Sequence, residues 1–265
     1  MNSLIRLPAV AGVFYPAQAK ELRAAVQQFL QQCKTTQIAV PKALIAPHAG
    51  YIYSGNVAAM VYAMIQSACH LIKKVILLGP SHRVALEGLA VPFAQYFATP
   101  LGKITVDVES RETCLTLPQV TVSEQAHLYE HSLEVQLPFL QEILADFTLL
   151  PLVVGHATPS EVSEVLEKVW GNDETIIIVS SDLSHYHNSQ TAQRLDQLTS
   201  QAIENLQPEH IAYEQACGRN AINGLLVSAR QRKMRAHTVH LCNSGDTAGS
   251  KDRVVGYGAY VFHEN

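Results

Sequence analysis

Apolar positions along this 265-residue chain follow two rhythms. Short unbroken apolar runs bounded by Gly, Pro and Ser occur at residues 43–46, 75–78 and 176–179. Runs of this length and composition read as strands buried on both faces of a parallel sheet. The other rhythm is helical. Residues 18–33 put Leu22, Ala25, Phe29 and Leu30 on one side of a helix, and a Gln/Lys/Thr linker then leads to the first strand. Residues 55–68 are apolar nearly all round, which predicts a buried helix with Ser54 as its cap.

The remaining chain alternates in the same way. Residues 87–108 read as short β segments around a Pro100-Leu101-Gly102 turn, 131–144 as a helix and 147–154 as a strand. Thr158-Pro159-Ser160-Glu161 carries a helix start, with a capping threonine, an early proline and a glutamate three residues on. Residues 190–206 and 209–232 read as helices, the second with a break near Cys217-Gly218. Two strands, 236–242 and 253–262, flank a glycine-rich turn. There is no internal repeat and no clean linker. The expectation is one α/β domain over residues 1–265, with a central, mostly parallel or mixed sheet flanked by helices.

Composition narrows the function. A formal net charge of −4 without a dense Lys/Arg block argues against a nucleic-acid partner. The basic residues at 230–235 suit the end of a helix. No apolar stretch approaches the ~20 residues of a membrane span. Pro8, Gly12 and Pro16 interrupt any signal-peptide core. Five scattered cysteines without a Cys-x-x-Cys pair argue against a disulfide framework and fit a cytoplasmic setting.

The candidate chemistry lies where the strands stop. The three apolar runs lead into Pro47-His48-Ala49-Gly50, Gly79-Pro80-Ser81-His82 and Ser180-Ser181-Asp182-Leu183-Ser184-His185. Ligand sites in open α/β sheets gather beyond the carboxyl ends of the strands, so His48, His82, Asp182 and His185 are expected to meet. Imidazoles with a carboxylate suit a first-row metal and acid–base work. Asp182 and His185 read as the first turn of a helix, facing one site at i,i+3, with His187 pointing elsewhere. In Glu130-His131-Ser132-Leu133-Glu134, Glu130 suits a helix start, and Glu134, among apolar neighbours, suits a buried orienting role behind the site. Cys242 ends a predicted strand and reads either as a buried small hydrophobe or as a thiolate ligand. The remaining histidines, His70, His127, His156, His210, His237, His240 and His263, read as surface or structural residues.

These motifs, together with Ala11-Gly12-Val13-Phe14-Tyr15-Pro16 and Asn243-Ser244-Gly245-Asp246-Thr247, resemble the MEMO family, also called AmmeMemoRadiSam system protein B. The resemblance runs in family order over nearly the whole chain. It implies a fold similar to class III extradiol ring-cleaving dioxygenases, which hold non-haem iron; fold alone does not carry their activity. By the resemblance, His48 and His82 match the histidine ligands, and Asp182 and His185 match the pocket pair. His185 resembles the acid–base histidine. A third, cysteine ligand is implied shortly before Asn243. Cys242 stands one residue late in that register and Leu241 takes the place, so either the strand bulges or Cys242 is no ligand.

Three functions are therefore expected to compete. One is a non-haem metal enzyme with His48, His82 and Cys242 on iron(II), or on copper or zinc, and with His185, Asp182 and Glu134 moving and orienting a proton. With its third ligand out of register, such a site is expected to bind metal modestly and to be isolated empty. The second is a module that grips a small molecule or peptide without turnover, in a cleft lined by His131 and rimmed by Tyr15, Tyr51, Tyr53 and Tyr186. The third is a metal-dependent hydrolase. The resemblance also implies radical-SAM and AMMECR-type protein partners.

Overall fold

Strands that are apolar on both sides need helices on both faces, and the chain supplies them. The computed structural model describes residues 4–33 and 39–264; the linker expected after residue 33 lies outside the described residues. In chain order the elements are β1 (Ile5–Arg6), α1 (Ala19–Gln32), β2 (Ala43–Ala46), α2 (Tyr51–Ala63) and β3 (Lys74–Pro80). The short strands β4 (Leu89–Val91), β5 (Tyr96–Thr99) and β6 (Gly102–Val106) follow, then α3 (Val108–Cys114), β7 (Val120–Val122) and α4 (Glu124–Leu128). Next come α5 (His131–Glu134), α6 (Leu137–Ile143), β8 (Thr148–Val154), α7 (Pro159–Val169), β9 (Thr175–Ser180) and β10 (His185–His187). The chain ends with α8 (Ser189–Glu204), α9 (Arg219–Gln231), β11 (Arg235–Asn243) and β12 (Val254–His263).

All the strands join one sheet in the order β1-β5-β6-β8-β3-β9-β2-β12-β10, with β11 on β12 and the β4–β7 pair against β8. β8, β3, β9 and β2 are mutually parallel, and β12 is antiparallel to β2. The result is a single α/β domain on a mixed sheet. Alternation along the central strands splits the core in two. Leu44, Ala46, Val75, Leu77, Ile176 and Ile178 pack with residues of α1, α2 and α6. Ala43, Ile45, Ile76, Leu78, Ile177 and Val179 pack with α7 and α9.

The connections set the site. The passage from β2 to β3 skips one strand position, which β9 later fills. The loop after β9 therefore emerges between the two loops that carry His48 and His82.

Four expectations need correction. α2 starts at Tyr51, with Gly50 in the cap position; Ser54 lies inside its first turn and donates to the Ala49 carbonyl at 2.9 Å. The 131–144 helix is two helices, because Pro138 lacks the N–H a continuous helix needs and instead stands in the first turn of α6. Asp182 and His185 do not start a helix. Leu183 N donates to Gly256 O and Gly256 N to Ser184 O, both at 2.8 Å, so pairing with β12 wins over local capping. The helix waits for Asn188, whose side chain accepts from Thr191 N. The 209–232 segment begins with two short 3-10 turns and becomes α9 only at Arg219, just past the expected break at Cys217-Gly218. The Thr158 capping box forms as expected, with both reciprocal bonds present. Among the described residues, no helix is long and apolar enough to cross a membrane.

Candidate metal centre

β2, β3 and β9 end at Ala46, Pro80 and Ser180, and in each case the site residue follows two positions on: His48, His82 and Asp182. His48 and His82 meet there, and His131, at the start of α5, joins them. Each of the three offers a ring nitrogen, and these atoms all lie within 4.8 Å of one another. The ring centroids are 5.2 Å apart for His48 and His82, 5.4 Å for His48 and His131, and 4.6 Å for the stacked His82 and His131.

One hydroxyl decides the tautomer of His48. Ser180 Oγ donates its proton to Ser132 O at 2.6 Å and accepts from Gln136 Nε2 at 2.7 Å. Its remaining contact, 2.9 Å from His48 Nδ1, must therefore be an N–H donated by the ring. His48 Nε2 is left with its lone pair, facing the cluster. The Gln136 amide is itself oriented, since its oxygen accepts from Tyr62 Oη and its nitrogen also donates to Pro47 O, both at 2.9 Å. His82 is set the same way by a carboxylate. Its Nδ1 lies 2.9 Å from Glu130 Oε1, and its backbone N donates to Oε2 at 2.6 Å. Burial works to raise the Glu130 carboxyl, but the bonds from His82 and Ser132 outweigh it and hold the group well below the usual range. An ionised carboxylate only accepts, so Nδ1 donates and Nε2 is free. His131 keeps a buried Nδ1 that makes no hydrogen bond, although Glu130 Oε1 lies 3.4 Å away. Its ring is braced by the edge of Phe14, 4.9 Å between centroids.

Burial, followed by the neighbouring His82, pushes the His48 imidazole down to about 3. Burial and then His48 take His131 down to about 4. Both are neutral at pH 7, which is the form that binds a metal.

A thiol lies beside His48, outside the three-histidine group. Cys217 Sγ is 3.4 Å from His48 Nε2 and 3.6 Å from Asp182 O. The turn before α9 is tied to the end of β9, with Cys217 N donating to Asp182 O and Gly218 N to Ser181 Oγ. A Cβ at Gly218 would fall 2.7 Å from Ser181 Cβ and 2.9 Å from Ser180 O, so glycine permits the approach. Burial and the Asp182 charge raise the Cys217 thiol above its ordinary value. A bound divalent cation reverses that balance, because a coordinating thiol gives up its proton. Clustered imidazole lone pairs, an orphaned buried nitrogen and a thiol form a donor set that fits a borderline first-row metal.

The sequence profile of the Memo family, described as Memo-like protein, matches residues 6–261. The chain belongs to the Memo family. It is 37% identical over 273 residues to a MEMO1 family protein of Aquifex aeolicus, covering 97% of this chain and 99% of that one. It is 34% identical to the MEMO1 family protein of Archaeoglobus fulgidus and 35% to that of Methanosarcina mazei, with 97% of this chain covered in each, and 99% and 98% of those proteins. A solved structure of an uncharacterised protein, JW3007, from Escherichia coli K12 shares the fold, with a TM-score of 0.52 at 11% identity over 83% of this chain and 98% of that one.

Within this Memo fold the other expected site residues divide. Asp182 Oδ1 accepts from His48 N at 2.8 Å, so it holds the His48 loop by its backbone. Burial raises its carboxyl. His185 opens β10 opposite Val255, close enough to act electrostatically on His48 and Asp182. Tyr186 is exposed beside it.

Glu134 does not orient a proton carrier. Its carboxylate takes Arg6 Nη1, Ala9 N at 2.7 Å, Val10 N at 3.0 Å and Tyr15 Oη at 2.5 Å, and so anchors the N-terminal segment. Tyr15 and Tyr51 are not rim residues either. Both are buried, and Tyr51 Oη donates to Val135 O at 2.9 Å. Cys242 is not among the donors grouped at the cluster. It lies on β11 opposite Tyr257 and lines a different cavity, of 340 Å³, with Cys33, Met60 and His240. β11 does bulge, between Thr238 and His240, and the extra residue turns Cys242 to the face opposite Ala236, where it packs on the α1–α2 side of the sheet. The cysteine that contacts a cluster histidine is Cys217, at His48 Nε2. Its sequence signal was a cysteine-glycine step at the break in a helical pattern. His127 is structural, buried with its Nε2 3.0 Å from Ala90 O.

Proposed function

We propose that this Memo chain is a mononuclear non-haem metal enzyme acting on a small substrate. In this reading His48 and His82 hold the metal through Nε2, with Cys217 and His131 as further donors. Iron(II) is the metal proposed, and copper and zinc suit the same donors. The observation that supports the reading is the double tautomer lock: Ser180 and Glu130 each occupy the Nδ1 of one imidazole, which bares both Nε2 atoms toward one point. When bound, such a metal supplies Lewis acidity and, as iron or copper, one-electron exchange. The chain's own part is to hold and move protons. His185 is the proton carrier at the mouth, and Asp182 keeps the His48 loop in place and its charge beside His185. Burial of Ser180, Ser132 and Gln136 keeps water from competing for the His48 Nδ1 bond. The radical-SAM and AMMECR-type partners belong to the same proposal.

The test is metal analysis of protein purified without oxygen. His48→Ala and His82→Ala abolish binding, Cys217→Ser weakens it at least tenfold, and Cys242→Ser and His185→Ala leave stoichiometry unchanged. Equal losses in all five variants, or none in any, would sink the reading. A chain that retains only zinc and hydrolyses activated esters moves the assignment to the hydrolytic alternative, which three imidazoles also suit.

A further inference from the structure

Five of the ten arginines sit in ion pairs with carboxylates: Arg6, Arg23, Arg111, Arg230 and Arg232. The other five, Arg83, Arg194, Arg219, Arg235 and Arg253, have no ion-pair partner among the described residues. Three of these belong to the segments that build the metal cleft. Arg83 follows His82. Arg219 stands two residues after Cys217, in the first turn of α9. Arg253 lies over the ring of Tyr186, 4.6 Å from guanidinium carbon to centroid, and Tyr186 in turn lies against His185 at 5.7 Å. In a chain whose formal charge is −4, unpaired cations on three of the segments that carry the cleft call for a reason.

Two of the three are mounted in the same way. Arg219 stacks on Tyr213 at 5.3 Å as Arg253 stacks on Tyr186. Stacking engages the face of a guanidinium and leaves its in-plane N–H fork available, the edge that reads carboxylate and phosphate in bidentate fashion. Arg219 also carries a buried Nε with no hydrogen-bond partner, a donor that folding alone leaves unsatisfied. Tyr186 is held at φ 65°, in the left-handed region that a side chain with a Cβ disfavours. Backbone outliers of this kind cluster at ligand clamps. The acids around the cluster do not answer these cations: Glu130 is bonded to His82 and Ser132, and Asp182 to His48. Asp252, next to Arg253, is bonded to Ser250.

We infer that the mouth of the cleft binds a small organic oxyanion, a molecule with a carboxylate or phosphate group, through the tyrosine-mounted Arg219 and Arg253, with Arg83 completing the rim. The inference rests on the proposed metal cleft for its location, and it narrows the substrate of that cleft to an anion.

The experiment is isothermal titration of metal-free protein, at low ionic strength, with oxalate and with inorganic phosphate. Wild type is expected to bind at least one of them at a single site. Arg219→Gln/Arg253→Gln weakens that binding at least tenfold, and Tyr186→Ala weakens it by removing the mount. Arg235→Gln, an unpaired arginine at the start of β11, leaves it unchanged and serves as the charge control. Preference for oxalate assigns a carboxylate ligand, and preference for phosphate a phosphoryl one. Saturation by neither anion, or an equal loss in Arg235→Gln, overturns the inference. Because the titration contains no metal, its failure leaves the metal reading intact. Failure of metal binding with anion binding preserved does the reverse.

Discussion

Replacing Glu134 by glutamine tests the claim that this residue anchors the chain and takes no part in the chemistry. Every partner of the carboxylate is a donor: Arg6 Nη1, the Ala9 and Val10 amides and the Tyr15 hydroxyl. A carboxylate offers only acceptors and satisfies all four; glutamine turns an NH2 group toward donors. The substitution also leaves the Arg6 guanidinium, 1% exposed, without its counter-charge. Breaking a buried pair from one side costs about 3–5 kcal/mol, a large part of the ~5–15 kcal/mol that holds a domain folded. Urea unfolding should show that loss as a lower midpoint with unchanged slope. Hydrogen exchange should show the Ala9 and Val10 amides losing protection together. Arg6→Met/Glu134→Gln should cost less than the sum of its single variants, because the stranded cation is gone. A loss below about 1 kcal/mol, or unchanged exchange at Ala9 and Val10, refutes the anchor.

Three further outcomes follow from local geometry. Ser180→Ala frees His48 to change tautomer and should lower metal affinity about 10–100-fold in a chelator competition, with the fold retained. His127 is pushed by burial to about 3, below its ordinary 6.5, so the unfolded chain protonates first as pH falls. Its contribution is complete above pH 6.5 and drains away toward pH 3, by up to about 1.4 kcal/mol per pH unit, so metal-free His127→Gln should show a flatter stability profile than wild type between pH 6 and 4. At Gly256 a Cβ would fall 2.0 Å from the buried Asp196 Oδ2, and the carboxylate would have to leave Ser184 N; Gly256→Ala should cost about 2–4 kcal/mol in thermal or urea melts.

The central strands were legible because each is apolar on both faces, which leaves no period to misread. The meeting of His48 with His82 followed from topology, since parallel strands deliver their loops to one edge. What escaped the sequence was every decision made by a distant partner. The Asp182 segment looks like a helix start, and only the backbone of Gly256 shows that it is spoken for. Glu134 sits among apolar neighbours as an orienting acid does, but its counter-charge is Arg6, far upstream. Tyr15 and Tyr51 flank glycine-rich loops as rim residues do, yet their hydroxyls end on Glu134 and Val135. Cys242 stands next to Asn243 along the chain, but its strand carries it to a different cavity. Cys217 reaches His48 through a turn whose approach depends on Gly218, a contact that spacing along the chain does not encode.

Ser180 ends a central strand and is fully buried, and the bonds that aim His48 are made by the folded chain alone. Folding and loading are therefore separate equilibria. In a zinc finger the ion and the fold appear together, and a chelator unfolds the chain. Here the empty and filled forms should share one backbone. The ion then adds stability only by mass action, as RT ln(1 + [L]/Kd). On the proposed metal reading, occupancy would become a readout of the free-metal pool around the protein, rising and falling with supply while the fold stays put.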